Sequence, residues 1–226
     1  MRRFLSSDGP LGELVFRAVR GSVRIFIFRW LRLRAVGAER IRVEGPFILA
    51  PVHRSNLDGP IIGSLTHRRV RYLGKESLFR PAAAGWIMRS LGSFPVRRGE
   101  ADLDAMRAAR QMLEAGEVLL VFPEGTRQQG DVIGEIFDGT AWLAAKSGCP
   151  VVPVGCAGTE AAMPTGVKFP RRIPSAVVIG DVIEPPVGPD GGRARRSDMR
   201  EWTEAFRAVL QECQDRAVEL AREAHR

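Results

Sequence analysis

Short apolar runs recur through the middle of the chain at "FILAPV" (47–52), "VRYLGK" (70–75), "VLLVF" (118–122), "VVPVG" (151–155) and "AVVIG" (176–180). Their length and β-branched content predict strands. Between them, residues 102–115 and 140–147 carry apolar positions at helical spacing. Strands alternating with helices predict an α/β fold, a single domain with a largely parallel central sheet flanked by helices. Ligands of such sheets sit beyond the carboxyl ends of the strands. Polar clusters follow the first and third runs, at His53 and Glu124.

Residues 11–36 predict a helix in which Val15, Val19, Val23, Phe26, Trp30 and Leu33 line one stripe, with Arg17, Arg20 and Arg24 opposite. A basic amphipathic helix of this kind suits an anionic lipid surface. The same pattern also suits a helix packed on the core with its arginines solvated. After the last strand, "EPPVGPDGGRARRS" (184–197) is too rich in Pro and Gly to continue a strand or helix. Asp198 with Glu201 then reads as a capping pair opening a terminal helix to about residue 223. The expected organisation is an N-terminal membrane-associating helix (1–38), a core (39–186), and a loop with a C-terminal helix packing on it (187–226).

With 226 residues, 45% of them hydrophobic, the chain can bury a full core. Its net charge of +8, carried mainly by arginine, favours polyanionic partners. Nucleic acid is not expected: there is one Tyr, and no aromatic residues interleave with the basic clusters. The three cysteines, Cys149, Cys156 and Cys213, form no CxxC pair. Neither a disulfide framework nor a metal site is expected, and a reducing cytoplasm fits. The opening "MRRFLSSDGP" has twin arginines, but Asp8, Gly9 and Pro10 interrupt the apolar stretch an export signal needs. The longest nearby run of large apolar residues is "IFIF" (25–28), far short of a membrane span.

The stretch "PVHRSNLDGP" (51–60) holds one of three histidines, His53, with Asp58 five positions on. A carboxylate on one imidazole nitrogen fixes the tautomer and leaves the other nitrogen as a base near pH 7. The spacing works if His53 ends a strand and Asp58 begins the next helix. Taken alone, such a pair arises often by chance and reads as a structural contact. His67, among arginines, and His225, near the end of the chain, have no acid at useful spacing.

Three further blocks, "GSFPVRRG" (92–99), "VFPEGTRQQG" (121–130) and "VVPVGCAG" (151–158), follow "HRSNLD" in order. With them the sequence resembles the glycerolipid acyltransferases of the 1-acylglycerol-3-phosphate acyltransferase type, over about residues 40–185. The resemblance implies an O-acyltransferase in which His53 is the general base and Asp58 its orienting partner. The acceptor would be held by Arg98, Glu124, Gly125, Thr126 and Arg127, the arginines gripping its phosphate and Glu124 accepting from its glycerol hydroxyls or holding the arginines, with Lys75 nearby, and Pro153 and Val154 would shape the acyl or thioester pocket. It implies no bound cofactor. The donor would be acyl-CoA or acyl carrier protein, and the acceptor a lysophospholipid, most simply lysophosphatidic acid. The place would be the cytoplasmic face of the membrane, as a peripheral or monotopic protein. One departure is "IFDGT", which has Asp138 where several relatives carry lysine. Other expectations kept open are glycerol 3-phosphate or another lysolipid as acceptor, a hydrolase using His53 to activate water, and a non-enzymatic lipid-binding protein.

Overall fold

The computed structural model describes residues 9–96 and 103–224, with Lys75, Leu78 and Val96 described by their backbone alone. Seven strands form one sheet: β1 (Arg34–Val36), β2 (Ile48–Pro51), β3 (Val70–Lys75), β4 (Ser93–Val96), β5 (Val118–Leu120), β6 (Val151–Ala157) and β7 (Ala176–Ile179). The order is β1-β7-β6-β2-β5-β3-β4, and every neighbouring pair is parallel except β6 with β7. The expected single α/β domain with a largely parallel sheet is borne out. The central strands β2, β5 and β6 are buried along their whole length. That is why they read as unbroken apolar runs: both faces are covered.

Helices α1 (Pro10–Ser22), α2 (Phe28–Trp30), α3 (Asp58–Leu65), α4 (Ala82–Ser90), α5 (Leu103–Glu114), α6 (Gly139–Ser147), α7 (Thr159–Ala162) and α8 (Arg196–Glu223) complete the fold. The longest, α8, packs on β6 and β7 through Thr203, Phe206, Leu210, Cys213, Ala217 and Leu220. Their alternating spacing of three and four is the apolar stripe of an amphipathic helix. Its cap differs from the expected pair. The Asp198 carboxylate accepts the Arg195 N–H at 2.7 Å, so the helix opens at Arg196 and Glu201 takes no part in the cap.

The N-terminal helix ends six residues earlier than the expected residue 36. Arg32 N–H bonds to Arg29 C=O and Leu33 N–H to Phe28 C=O, with Arg32 at φ +44°. This is a Schellman-type ending with arginine in the place usually held by glycine. Residues 34–36 then pair with β7 as an edge strand. The apolar stripe is also split, because residues Val23–Ile27 form one π-helical turn between α1 and α2. An extra residue per turn rotates the following side chains to another face. Val15, Val19 and Val23 are half-buried, whereas Phe26 is 68% and Trp30 48% exposed. Arg20 does not face away as expected; it bonds to the Thr66 and His67 carbonyls. Among the described residues no helix is long and apolar enough to cross a membrane.

Strand β4 is not among the five expected runs, and it contains Pro95. It lies at the sheet edge, bonded only to β3, where a residue without an N–H is tolerated. The three cysteines are free and buried.

The contact of β6 with α8 leaves no room at Gly155. A Cβ added there would strike the Cys213 carbonyl and the Gln214 amide. Gly155→Ala is expected to cost about 3 kcal/mol, lowering the melting temperature by roughly 6–12 °C in a thermal unfolding experiment.

Candidate active site

Strand β2 lies between β6 and β5, so the residues just past three carboxyl ends meet at one edge of the sheet. His53 follows β2, Glu124 follows β5, and Thr159 follows β6.

After β2 the chain turns sharply, and Asp58 begins α3 with its side chain fully buried. One carboxylate oxygen, Oδ2, accepts the backbone N–H of Arg54 at 2.7 Å and of Ser55 at 2.6 Å, and faces His53 Nδ1 at 3.3 Å. The other, Oδ1, accepts the Thr159 hydroxyl at 2.7 Å and the Cys156 thiol at 3.5 Å. Burial, and then the adjacent Asp58 carboxylate, push the Cys156 thiol well above its usual range. It therefore remains a neutral S–H donor. With Asp58 ionised, His53 presents Nδ1–H to it and Nε2 carries the free lone pair. Nε2 makes no hydrogen bond to the described residues. The imidazole is further fixed by Phe122, whose ring stacks on it at 3.8 Å between centroids and 17° between planes. The His53 side chain keeps 12% exposure, enough for one edge to meet a reactant.

A second set of contacts fastens the loop after β5 to this histidine. Glu124 Oε2 accepts the His53 N–H at 2.8 Å, and both Glu124 oxygens accept Arg54 Nη1 at 2.8 Å. Arg54 Nε donates to Gly130 C=O at 2.7 Å, and Gln128 N–H donates to His53 C=O at 2.8 Å. Arg54 and Glu124 side chains are 2% and 0% exposed. Glu124 is thus engaged in holding the two loops together rather than open to the surface. Gly125, Thr126 and Arg127 follow it on the exposed turn, and Gly125 adopts φ +68°, a conformation glycine takes without strain.

Of the other expected site residues, Arg98 lies outside the described residues, and the Lys75 backbone ends β3 beside Val96. Pro153 and Val154 are buried inside the sheet, where Val154 C=O accepts the Val52 N–H at 3.0 Å and sets the register of the strand leading to His53. Asp138 is the residue before α6, and Trp142 N–H bonds to its carbonyl. Sequence reasoning missed Arg54, Phe122, Cys156 and Thr159. The first three stand inside the recognised blocks and were findable there. Thr159 bonds to a partner 101 positions away, and no local pattern marks it.

An acyltransferase family model matches residues 32–157, more than half of the chain. The chain belongs to the acyltransferase family. It is 32% identical to a chloroplastic 1-acyl-sn-glycerol-3-phosphate acyltransferase of Brassica napus, over 54% of this chain and 36% of that protein. Identity to a chloroplastic 1-acyl-sn-glycerol-3-phosphate acyltransferase of Arabidopsis thaliana is 29%, over 68% of this chain and 46% of that protein. The chain therefore spans less than half the length of these plant relatives. The crystal structure of a 1-acyl-sn-glycerophosphate acyltransferase from Thermotoga maritima superposes with a TM-score of 0.70 at 25% identity, covering 88% of this chain and 78% of that one.

Two outcomes test the geometry. Thr159→Val should lower kcat about tenfold with KM nearly unchanged, because one hydrogen bond holding the Asp58 carboxylate is lost; Thr159→Ser should restore it, as read in steady-state kinetics. Arg54→Met leaves Glu124 as a buried unpaired charge and should cost about 3–5 kcal/mol in urea unfolding. The double variant Arg54→Met with Glu124→Leu should recover most of that loss.

Proposed function

We propose that this acyltransferase moves a fatty acyl chain from an acyl thioester, acyl-CoA or acyl carrier protein, to the free hydroxyl of a 1-acylglycerol 3-phosphate, forming phosphatidic acid. The observation that carries the reading is the His53–Asp58 pair, whose free Nε2 faces outward from a buried, fully engaged carboxylate. Nε2 takes the proton of the acceptor hydroxyl as its oxygen attacks the thioester carbonyl. The C–O bond forms, the C–S bond breaks, and the imidazolium returns its proton to the departing sulfur. No acyl-enzyme is required, and the chain holds no GxSxG nucleophile elbow.

Exposed Thr126 and Arg127, on the turn whose Gln128 N–H bonds to the His53 carbonyl, supply a hydroxyl and a guanidinium for the phosphate, with Gly125 allowing close approach. By the family resemblance Arg98 and Lys75 add positive charge. Glu124 serves in this reading as the brace of the site. An apolar crevice lined by Phe16, Val19 and Val23 of the N-terminal helix and by Gly59, Pro60 and Gly63 of α3 begins one residue from Asp58 and suits an acyl chain. Residues 1–38 attach the protein to the cytoplasmic face of an anionic membrane, residues 39–186 carry the chemistry, and residues 187–226 support the sheet.

A thiol-release assay with palmitoyl-CoA tests the proposal. Release should depend on added lysophosphatidic acid and fall by about 10²–10⁴ in His53→Ala. Release without an acceptor would indicate a hydrolase. Preference for glycerol 3-phosphate or another lysolipid in direct competition would reassign the acceptor.

A further inference from the structure

The segment from Ala162 to Arg171 leaves the core and returns to it. Arg171 N–H donates to Ala162 C=O at 2.7 Å, closing the base of a compact loop, and Ala162 is fully buried. The loop is fastened at two further points. Ser55 in the catalytic stretch donates its hydroxyl to Met163 C=O at 3.1 Å, and Trp30 Nε1 donates to Pro170 C=O at 2.9 Å. At its far side stands Phe169, 81% exposed, the most exposed large apolar side chain among the described residues. Lys168, Arg171 and Arg172 flank it along the chain, also exposed, and residues 163–173 contain no Asp or Glu.

Across the Trp30 bond, the helix end continues the same composition. Ile25 and Phe26 are exposed with Arg24 and Arg29, again with no acid between residues 23 and 30. A groove between the two segments is lined by Ile25, Phe26, Arg29, Trp30 and Arg172. Two parts of the chain, some 140 residues apart, thus build one surface of aromatic and cationic side chains.

We propose that the 162–171 loop is a second membrane-inserting element, with Phe169 entering the boundary between headgroups and acyl chains while Lys168, Arg171 and Arg172 meet anionic headgroups. The proposal rests on the membrane attachment already assigned to the N-terminal helix and extends it to a segment joined to the catalytic stretch. Apolar tips ringed by cations are the pattern that partitions to anionic interfaces, where arginine and lysine stems reach past the apolar layer to the phosphates.

The test is co-sedimentation of the full chain with extruded vesicles of phosphatidylglycerol and phosphatidylcholine, compared with phosphatidylcholine alone. Phe169→Asp should lower partitioning to the anionic vesicles about tenfold, with an unchanged melting temperature. Turnover on a short-chain lysophosphatidate dissolved as monomers should also be retained. The triple change of Lys168, Arg171 and Arg172 to Gln should remove most of the preference for anionic over neutral vesicles. Val187→Asp, at an exposed apolar residue of the 184–197 loop, should change neither. If Phe26→Asp abolishes binding while Phe169→Asp binds like the wild type, the loop proposal is overturned and helix attachment stands. If the wild type ignores both vesicle types, membrane attachment itself fails. If Phe169→Asp keeps vesicle binding but loses affinity for acyl carrier protein, the surface is a protein-docking face and the proposal is wrong.

Discussion

A fully buried carboxylate, Asp58, is the point on which the site depends. Removing such a group from water is costly unless its oxygens are satisfied within the protein. Here two backbone amides, a hydroxyl, a thiol and an imidazole supply that satisfaction. These donors come from the turn after β2 and from the end of β6 with the start of α7. The carboxylate therefore fixes the imidazole and also fastens neighbouring strands at their carboxyl ends. Stability and chemistry share the same bonds, which is why the hydrogen-bonding demand of one side chain shapes so much of the local chain path.

The Arg54–Glu124 pair extends this arrangement to the strand on the other side. Two loops that carry function are mobile unless something holds them, and this pair, fully desolvated, closes the gap between them. Buried ion pairs add little net stability compared with apolar packing, but they penalise any arrangement in which the partners separate. The outcome is specificity of position: the histidine backbone, the turn bearing Thr126 and Arg127, and the Gly130 carbonyl are held in one frame. Parallel strands make this economical, since adjacent carboxyl ends deliver their loops to the same edge.

Much of this was readable in the chain. Four buried strands, β2, β5, β6 and β7, announce themselves because apolar runs are what a doubly covered sheet requires, and the histidine and aspartate stand in one short motif. The hidden parts have physical causes. The helix end at Arg32 adopts a left-handed conformation without glycine, so no residue type marks it. The π-helical turn at Val23–Ile27 breaks a periodicity that the residues themselves still display. Glu124 looks like a ligand for substrate in its motif, and its actual partner, Arg54, becomes visible only when β2 and β5 are set side by side. Thr159 joins the site through tertiary contact alone.

The most direct test of the central claim is a double-mutant cycle on acceptor-dependent thiol release, using His53→Ala, Asp58→Asn and the pair, each corrected for its folded fraction. If the two residues act as one proton-transfer unit, their losses overlap, and Asp58→Asn in the His53→Ala background slows turnover no further. Fully additive losses would show that Asp58 acts apart from His53 and would contradict the mechanism.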